Sequence, residues 1–277
     1  MDPSDQLLID DAIKIVESAS EHEIVLRLLG ALAVLHHCQE NARIYAKLDR
    51  LNTGGRRFTD VDYAAYGKQA GSVSRFFEKD LGYKSDPVFA ALFGRYRGIW
   101  EHPKGLYHVD VFYDQLRFSH DINFGSQPKK GRLELDYPTI SLADLLLEKT
   151  QIHQINEKDI KDIIAILAIH NLSEGQSSET IDVQYIAQVL SNDWGFYHDV
   201  QTNLNKVRTL AQQYAEKDLI DAQTLDAIDE RIVLILKRIE DEPKAGQWER
   251  RAKKGEQSRW WNEVEEVERE IGQSTSS

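Results

Sequence analysis

The chain has 277 residues, enough for one large domain or two ordinary ones, and its 41% apolar and 29% charged side chains are the balance of a water-soluble globular fold. A formal charge of −12 argues against a chain-wide grip on nucleic acid, which needs a basic footprint. No apolar run reaches the length of a membrane span, the acidic opening MDPSDQLLIDD lacks the basic region of a secretory signal, and the single cysteine, Cys38, precludes an intrachain disulfide, so a cytoplasmic setting is expected.

In chain order, residues 5–19 are predicted as an amphipathic helix with Leu8, Ile9, Ala12, Ile13 and Val16 clustered on one side. The short β-branched stretch 24-IVLRLL-29 reads as a buried strand stopping at Gly30, and 31-ALAVLHHCQ-39 as the helix that follows. A polar loop over 48–58 leads into TDVDYAAYG, the second strand, and 70–83 is predicted as a helix ending at Gly82. The segment 107-YHVDVFYD-114 is strongly β-prone. FSHDINF and RLELDYPTIS are predicted as two further short strands linked by the turn-rich 125-GSQPKKG-131.

From Ser141 the pattern becomes helical. Ser141 with Asp144, and Asn156 with Asp159, each have the form of an N-cap with an acidic third residue, opening LADLLLEKTQI and IKDIIAILAIH. Leu225, Ile228, Ile232, Ile235 and Ile239 fall at spacings of three and four, one buried stripe of a later helix. The expected class is α+β: a mixed β-sheet with flanking helices over 1–150, then an all-α region over 151–277.

Side chains two apart on a strand share a face, so Asp60 and Asp62 should project together while Val61 packs behind them. Two like charges so close repel, and burial worsens this; a divalent cation, Mg²⁺ or Mn²⁺, is the usual remedy. Asp110, between Val109 and Val111 on a separate strand, is a third acid. If the strands are neighbours, three carboxylates converge and suit an in-line phosphoryl or nucleotidyl displacement. Gly30, at a strand-to-helix turn, lets backbone N–H groups approach phosphate oxygens. Upstream of the paired acids, Arg56, Arg57 and Thr59 are candidates to orient phosphates, or simply a solvated loop.

These residues resemble the nucleotidyltransferase superfamily, the polymerase-β-like fold, with its glycine turn after the first strand, its D-x-D strand and its later third acid. More narrowly, R-x-T-D-V-D at 57–62, HVDVFYDQLRFSHDI, and ISLADLLLEKTQI followed by NEKDIKDIIAIL resemble the AbiEii/AbiGii toxin-type nucleotidyltransferases. The resemblance covers about residues 24–170. It implies that Gly30 and Ala31 lie under a nucleoside triphosphate, that Asp60 and Asp62 ligate metal, and that Asp110 is a third ligand and candidate base. It further implies that Lys149 reaches the nucleotide phosphates, and that the K-D-x-x-D of Lys158, Asp159 and Asp162 accompanies the site, with Asp162 orienting Lys149 or assisting catalysis. The alternative for Lys149 and Asp162 is an interhelical ion pair. One departure stands out: the family's turn is Gly-Gly or Gly-Ser, and here it is Gly30-Ala31, which keeps a backbone N–H but loses the serine hydroxyl.

The resulting expectation is a nucleotidyltransferase moving an NMP from an NTP to a hydroxyl of RNA, protein or a small molecule, with an antitoxin partner by family analogy. The alternative is a nucleotide-binding or interaction protein of the same fold with weak or no catalysis. His36, His37, His108 and His120 show no recognised metal spacing and are read as structural; Cys38 lacks a His/Asn constellation. Asp114 and Asp121 are rivals to Asp110 nearer strand ends. Between Lys244 and Arg259 six basic residues face two acids, and Trp248, Trp260 and Trp261 would either dock this segment or stack on bases, docking being favoured.

Overall fold

The computed structural model describes residues 3–39, 42–48, 50 and 60–263. Helix α1 (Pro3–Glu21) carries Ile9, Ala12, Val16 and Ala19 at helical spacing, all fully buried, and packs on strand β1 (Leu26–Leu28). Helices α2 (Gly30–His37) and α3 (Ala42–Lys47) follow, then β2 (Asp60–Ala65) and α4 (Ala70–Arg75), which continues as a π-helical turn over Phe76–Asp80. Next come β3 (Lys84–Ser85), α5 (Pro87–Phe93), β4 (Arg97–Glu101), β5 (His108–Tyr113), and the hairpin pair β6 (Gln115–Arg117) and β7 (Asp121–Asn123).

Among the described residues the main sheet has five strands in the order β1-β2-β5-β4-β3. Only β2 and β5 run parallel; the β1–β2, β4–β5 and β3–β4 pairs are antiparallel. The sheet is therefore mixed, as expected. Its apolar face carries Val61, Tyr63, Val109, Val111 and Trp100, all buried. Tyr63 donates its hydroxyl to the Ala12 carbonyl at 2.9 Å, and Phe77 stacks on Trp100 with centroids 4.8 Å apart, so α1 and the 70–80 helix cover this face. The opposite face carries Asp60, Asp62, His108 and Asp110.

Helix α6 (Leu142–Thr150) is buried along its whole length and packs against α2, α7, α8 and α9. Ser141 caps it, accepting from the Asp144 N–H, and Asn156 caps α7 (Glu157–Ile169) by accepting from Asp159 N–H at 2.9 Å. Both predicted caps are present. Helices α8 (Val183–Leu190), α9 (Trp194–Glu216), α10 (Ala222–Asp241) and α11 (Gly246–Ala252) complete the second half. The α10 stripe is buried at Ile228, Ile232, Ile235 and Ile239.

The structure corrects the sequence reading at several points. The region after 150 is not all-α: β8 (Asn171–Ser173) and β9 (Thr180–Asp182) form a small parallel pair. RLELDYPTIS is not a strand; only Thr139 bridges to Leu28, with Ile140 N–H donating to the Leu28 carbonyl. Upstream, the Tyr66 hydroxyl accepts from Leu133 N–H and contacts the Glu134 carboxylate, so a side chain takes a donor that a strand ladder would need. Strands β3 and β4 and helix α5 occupy a stretch for which the sequence pattern predicts nothing, and α3 lies in what precedes the polar loop. The Trp-rich segment docks: Trp260 donates its indole N–H to Asp199 of α9 at 3.0 Å, and Trp261 stacks on His153 with centroids 3.6 Å apart. Among the described residues no helix is long and apolar enough to cross a membrane.

Ile232→Ala tests the α10 stripe. Removing this fully buried side chain should destabilise the protein by about 2–5 kcal/mol, read by urea unfolding, with secondary structure retained in the absence of denaturant.

Candidate functional site

The parallel register places Asp62 opposite Asp110, and Asp60 opposite His108. Paired residues on neighbouring strands point to the same side, so the three acids occupy one face of the sheet centre, as the sequence spacing requires. Asp110 is buried, Asp62 is half-buried and Asp60 is exposed, a gradient from sheet interior to solvent. His108 shares that face.

Gly30 sits against this face. Leu29 N–H donates to the Asp62 carbonyl at 2.9 Å, which fixes the β1–α2 turn to the acid-bearing strand. Gly30 adopts φ +73°, and a Cβ built there would meet Asp62 Oδ2 at 3.0 Å. Glycine is needed twice, for the left-handed backbone and for the close approach. Ala31 is half-buried as the second residue of α2.

Electrostatics at this point are unfavourable to charge. Burial first, then Asp110, Glu148 and Asp60, push the Asp62 carboxyl up to about 8, against an opposing pull from Lys149. Glu148, on α6, is pushed up to about 7, chiefly by burial; Lys149 and the Gly30 N–H, which donates to its Oε2 at 3.1 Å, oppose this. Asp110 is met by a guanidinium: Arg97 Nη2 of β4 lies 2.9 Å from its Oδ2.

Lys149 and Asp162 form the ion pair that was the alternative to a phosphate-facing lysine. Lys149 Nζ lies 3.1 Å from Asp159, 3.2 Å from Asp162 and 3.9 Å from Glu148. Burial alone would lower this lysine, but Asp162, Asp159 and Glu148 outweigh it and hold its pKa above the ordinary value. Asp162 is fully buried and also takes Arg50 Nε at 2.6 Å, Arg50 Nη2 at 3.0 Å and the Tyr45 hydroxyl at 2.5 Å. Lys158 stays exposed on the first turn of α7, one turn before the buried Asp162. Arg56, Arg57 and Thr59 lie outside the described residues.

A continuous chain of contacts thus runs from Asp62 to Gly30, to Glu148, to Lys149, and on to Asp162 with Arg50 and Tyr45. Glu148, Arg97, Arg50 and Tyr45 are absent from the sequence-derived site. Glu148 had one signal: a carboxylate four residues after Asp144, following the run Leu145–Leu146–Leu147. Arg97 had none, because β4 itself was unforeseen, and Arg50 lay in a stretch read as loop. Of the rivals, Asp114 has φ +64° and accepts from Gly67 N–H at 2.7 Å, a turn-closing role, and Asp121 is exposed on β7. His120 is structural: its Nε2 lies 2.8 Å from Asp199 and its ring stacks on Phe196.

Asp60, Asp62 and Asp110 share one face of the sheet, the Asp62 carboxyl is raised chiefly by burial, and the adjacent turn admits no Cβ. The three carboxylates are oxygen donors in the number and type that suit Mg²⁺ or Mn²⁺.

Two outcomes check the site's energetics. In the absence of divalent cations the folded chain holds protons on Asp62 and Glu148 that the unfolded chain would release. Stability should therefore fall as pH rises from the ordinary carboxylate range towards about 8. Asp62→Asn should stabilise the metal-free protein more at pH 8 than at pH 5, by at least about 1 kcal/mol, roughly one pKa unit's worth, read by thermal melts at both pH values. Asp162→Ala, which takes the paired carboxylate from buried Arg50 and one of the carboxylates around Lys149, should cost about 3–5 kcal/mol in chemical denaturation.

Compared with protein-family models, with curated proteins and with solved structures, the chain matches none.

Proposed function

We propose that this chain is a Mg²⁺- or Mn²⁺-dependent nucleotidyltransferase that moves an NMP from an NTP to a hydroxyl acceptor. The observation that carries the reading is the Asp62–Asp110 rung of the parallel β2–β5 pair, lying directly beside the Gly30 turn. The motif resemblance to the AbiEii/AbiGii-type nucleotidyltransferases supports it, and the same resemblance supports a polymerase-β-like fold, an antitoxin partner and a cytoplasmic setting.

In this reading Asp60, Asp62 and Asp110 hold the metal. The ion would supply charge neutralisation for the triphosphate and the departing pyrophosphate. In the transfer, the acceptor oxygen forms a bond to the α-phosphorus as the bond to the bridging oxygen breaks, and pyrophosphate carries away the electron pair. Asp110, at the centre of the sheet, is the candidate to take the acceptor's proton. Arg97 holds that carboxylate in place through its 2.9 Å contact. The helix that starts at Gly30 directs backbone N–H groups and its positive dipole end towards the acids' side, where phosphate would lie. Lys149 contributes positive charge from behind Gly30 while anchored by Asp159 and Asp162.

A second reading, a nucleotide-binding protein with weak or no catalysis, has two observations in its favour. Ala31 removes the hydroxyl that a serine would offer phosphate. Lys149 is already committed to two carboxylates within 3.2 Å.

Incubation with each α-labelled NTP, Mg²⁺ and cell extract separates the two readings. Label should appear in an acceptor with at least one NTP, and Asp60→Ala and Asp62→Ala should each cut transfer by at least about 100-fold, the scale for losing a preorganised electrostatic contact. No transfer with any NTP, or transfer indifferent to both substitutions, would sink the enzyme reading. Nucleotide binding that persists without transfer selects the second.

A further inference from the structure

The C-terminal end of α2 brings together a second group of metal-binding side chains, on the far end of the helix from Gly30. His37 ends α2, His170 follows the last turn of α7, and Glu179 precedes β9. One ligand atom from each lies within 4.8 Å of the others. His37 Nδ1 is 3.1 Å from Glu179 Oε2 and 3.2 Å from Oε1, and His170 Nδ1 is 3.5 Å from Glu179 Oε2.

We propose that His37, His170 and Glu179 form a binding site for a divalent transition-metal ion of the Zn²⁺ class, separate from the acidic face of the sheet. Two imidazoles and one carboxylate are a borderline donor set, which favours Zn²⁺ or Co²⁺ over the hard, oxygen-seeking Mg²⁺. A tetrahedral Zn²⁺ with bonds of about 2.1 Å holds its ligand atoms about 3.4 Å apart, close to the 3.1–3.5 Å separations between the carboxylate and the two rings.

Three features of the surroundings suit an ion. Thr139 Oγ1 lies 2.7 Å from His37 Nε2, the outer-sphere contact that fixes a ligating imidazole's orientation and leaves Nδ1 to the metal. His170 is buried, 4% exposed, yet its Nε2 has no hydrogen-bond partner. A buried imidazole nitrogen without a partner is costly; Nδ1 also lies 3.2 Å from the Glu179 backbone carbonyl, so ligation through Nδ1 would exchange that contact for the ion, while turning the ring about its Cβ–Cγ bond offers Nε2 instead. The Glu179 side chain is 56% exposed, which gives the ion a path from solvent and leaves the fourth position to water or to the second carboxylate oxygen. Glu179 also sits at φ +53°, a left-handed conformation that an L-residue adopts at a cost and that aims its side chain at the two rings. The ion would join the end of α2, whose first residue is Gly30, to the 170–179 stretch more than a hundred residues later, and so tie α2 to the helical half of the chain.

The test uses the full, untagged chain, stripped with chelator and titrated with Zn²⁺ by calorimetry and with Co²⁺ by visible absorption. Wild type should bind one ion of either metal per chain, develop the absorption of a low-coordinate Co²⁺ site, and melt at a higher temperature with Zn²⁺ than without. Glu179→Gln, which alters an exposed side chain and leaves the fold intact, should weaken binding at least ten-fold and remove the thermal shift. His170→Ala should abolish the Co²⁺ spectrum; if that variant does not fold, Glu179→Gln decides alone. Asp62→Asn should leave Zn²⁺ binding unchanged. The proposal is overturned if wild type binds neither ion, if Glu179→Gln binds as wild type does, or if binding disappears with Asp62→Asn instead.

Discussion

Asp62 and Asp110 share one rung of a parallel pair in the centre of the sheet, and much of the surrounding structure answers the repulsion between them. Like charges on adjacent strands within a protein interior cannot both ionise without compensation. Two compensations are visible. Arg97 places a guanidinium on Asp110, and burial first, then Asp110 and the other nearby acids, raise the Asp62 carboxyl to about 8, which favours its neutral form. Neither is what a sheet built only for stability would contain, since apolar residues at the same positions would pack at no electrostatic cost. The rung is a concession of stability, and concessions of this kind concentrate where a charged ligand is to be held.

Helix α6 extends the same constraint. It lies buried among α2, α7, α8 and α9, yet carries Asp144, Glu148 and Lys149 inside the packing. Each has a partner from another segment: Arg132 Nε at 3.0 Å from Asp144, the Gly30 N–H at 3.1 Å from Glu148, and Asp159 and Asp162 around Lys149. A buried charge is tolerated when it is paired and hydrogen-bonded, so these contacts fix where α2 and α7 sit relative to α6. The position of Gly30 against Asp62 is thus set both by the turn itself and by a helix more than a hundred residues later in the chain.

The parts of this arrangement that were legible in the sequence are those governed by local period or local capping. Asp60-Val61-Asp62 and Val109-Asp110-Val111 announce their faces because strand side chains alternate, and Ser141 and Asn156 announce helix starts because their partners are three residues away. What was hidden depends on long-range contacts. Strand β4 reads poorly because Gly98 interrupts it, and the structure shows why a side chain is excluded there: a Cβ on Gly98 would lie 2.1 Å from the Trp100 ring, which folds back to stack on Phe77. RLELDYPTIS alternates like a strand, but Tyr66 claims the Leu133 N–H from another segment. Glu148 finds its partner at Gly30, and nothing near either residue in sequence marks the pairing. His37 resisted a metal reading because the other residues grouped with it, His170 and Glu179, lie on segments whose approach only the fold reveals.

The contact between Glu148 and Gly30 also bears on how a phosphate would enter. In the proposed reading the Gly30 N–H would be the donor offered to a triphosphate, and Glu148 Oε2 already accepts from it. A phosphate and Glu148 would then compete for one donor, so a nucleotide would be held there only if Glu148 gave the contact up. Lys149 Nζ lies 3.9 Å from the other oxygen of Glu148, and the carboxyl is pushed up to about 7, chiefly by burial. Protonation of Glu148 would remove the anionic competitor. On this account Glu148 does for the turn what Arg97 does for Asp110. It satisfies a polar group that would otherwise be buried unpaired, and the amide in turn gives the buried Glu148 carboxylate a donor.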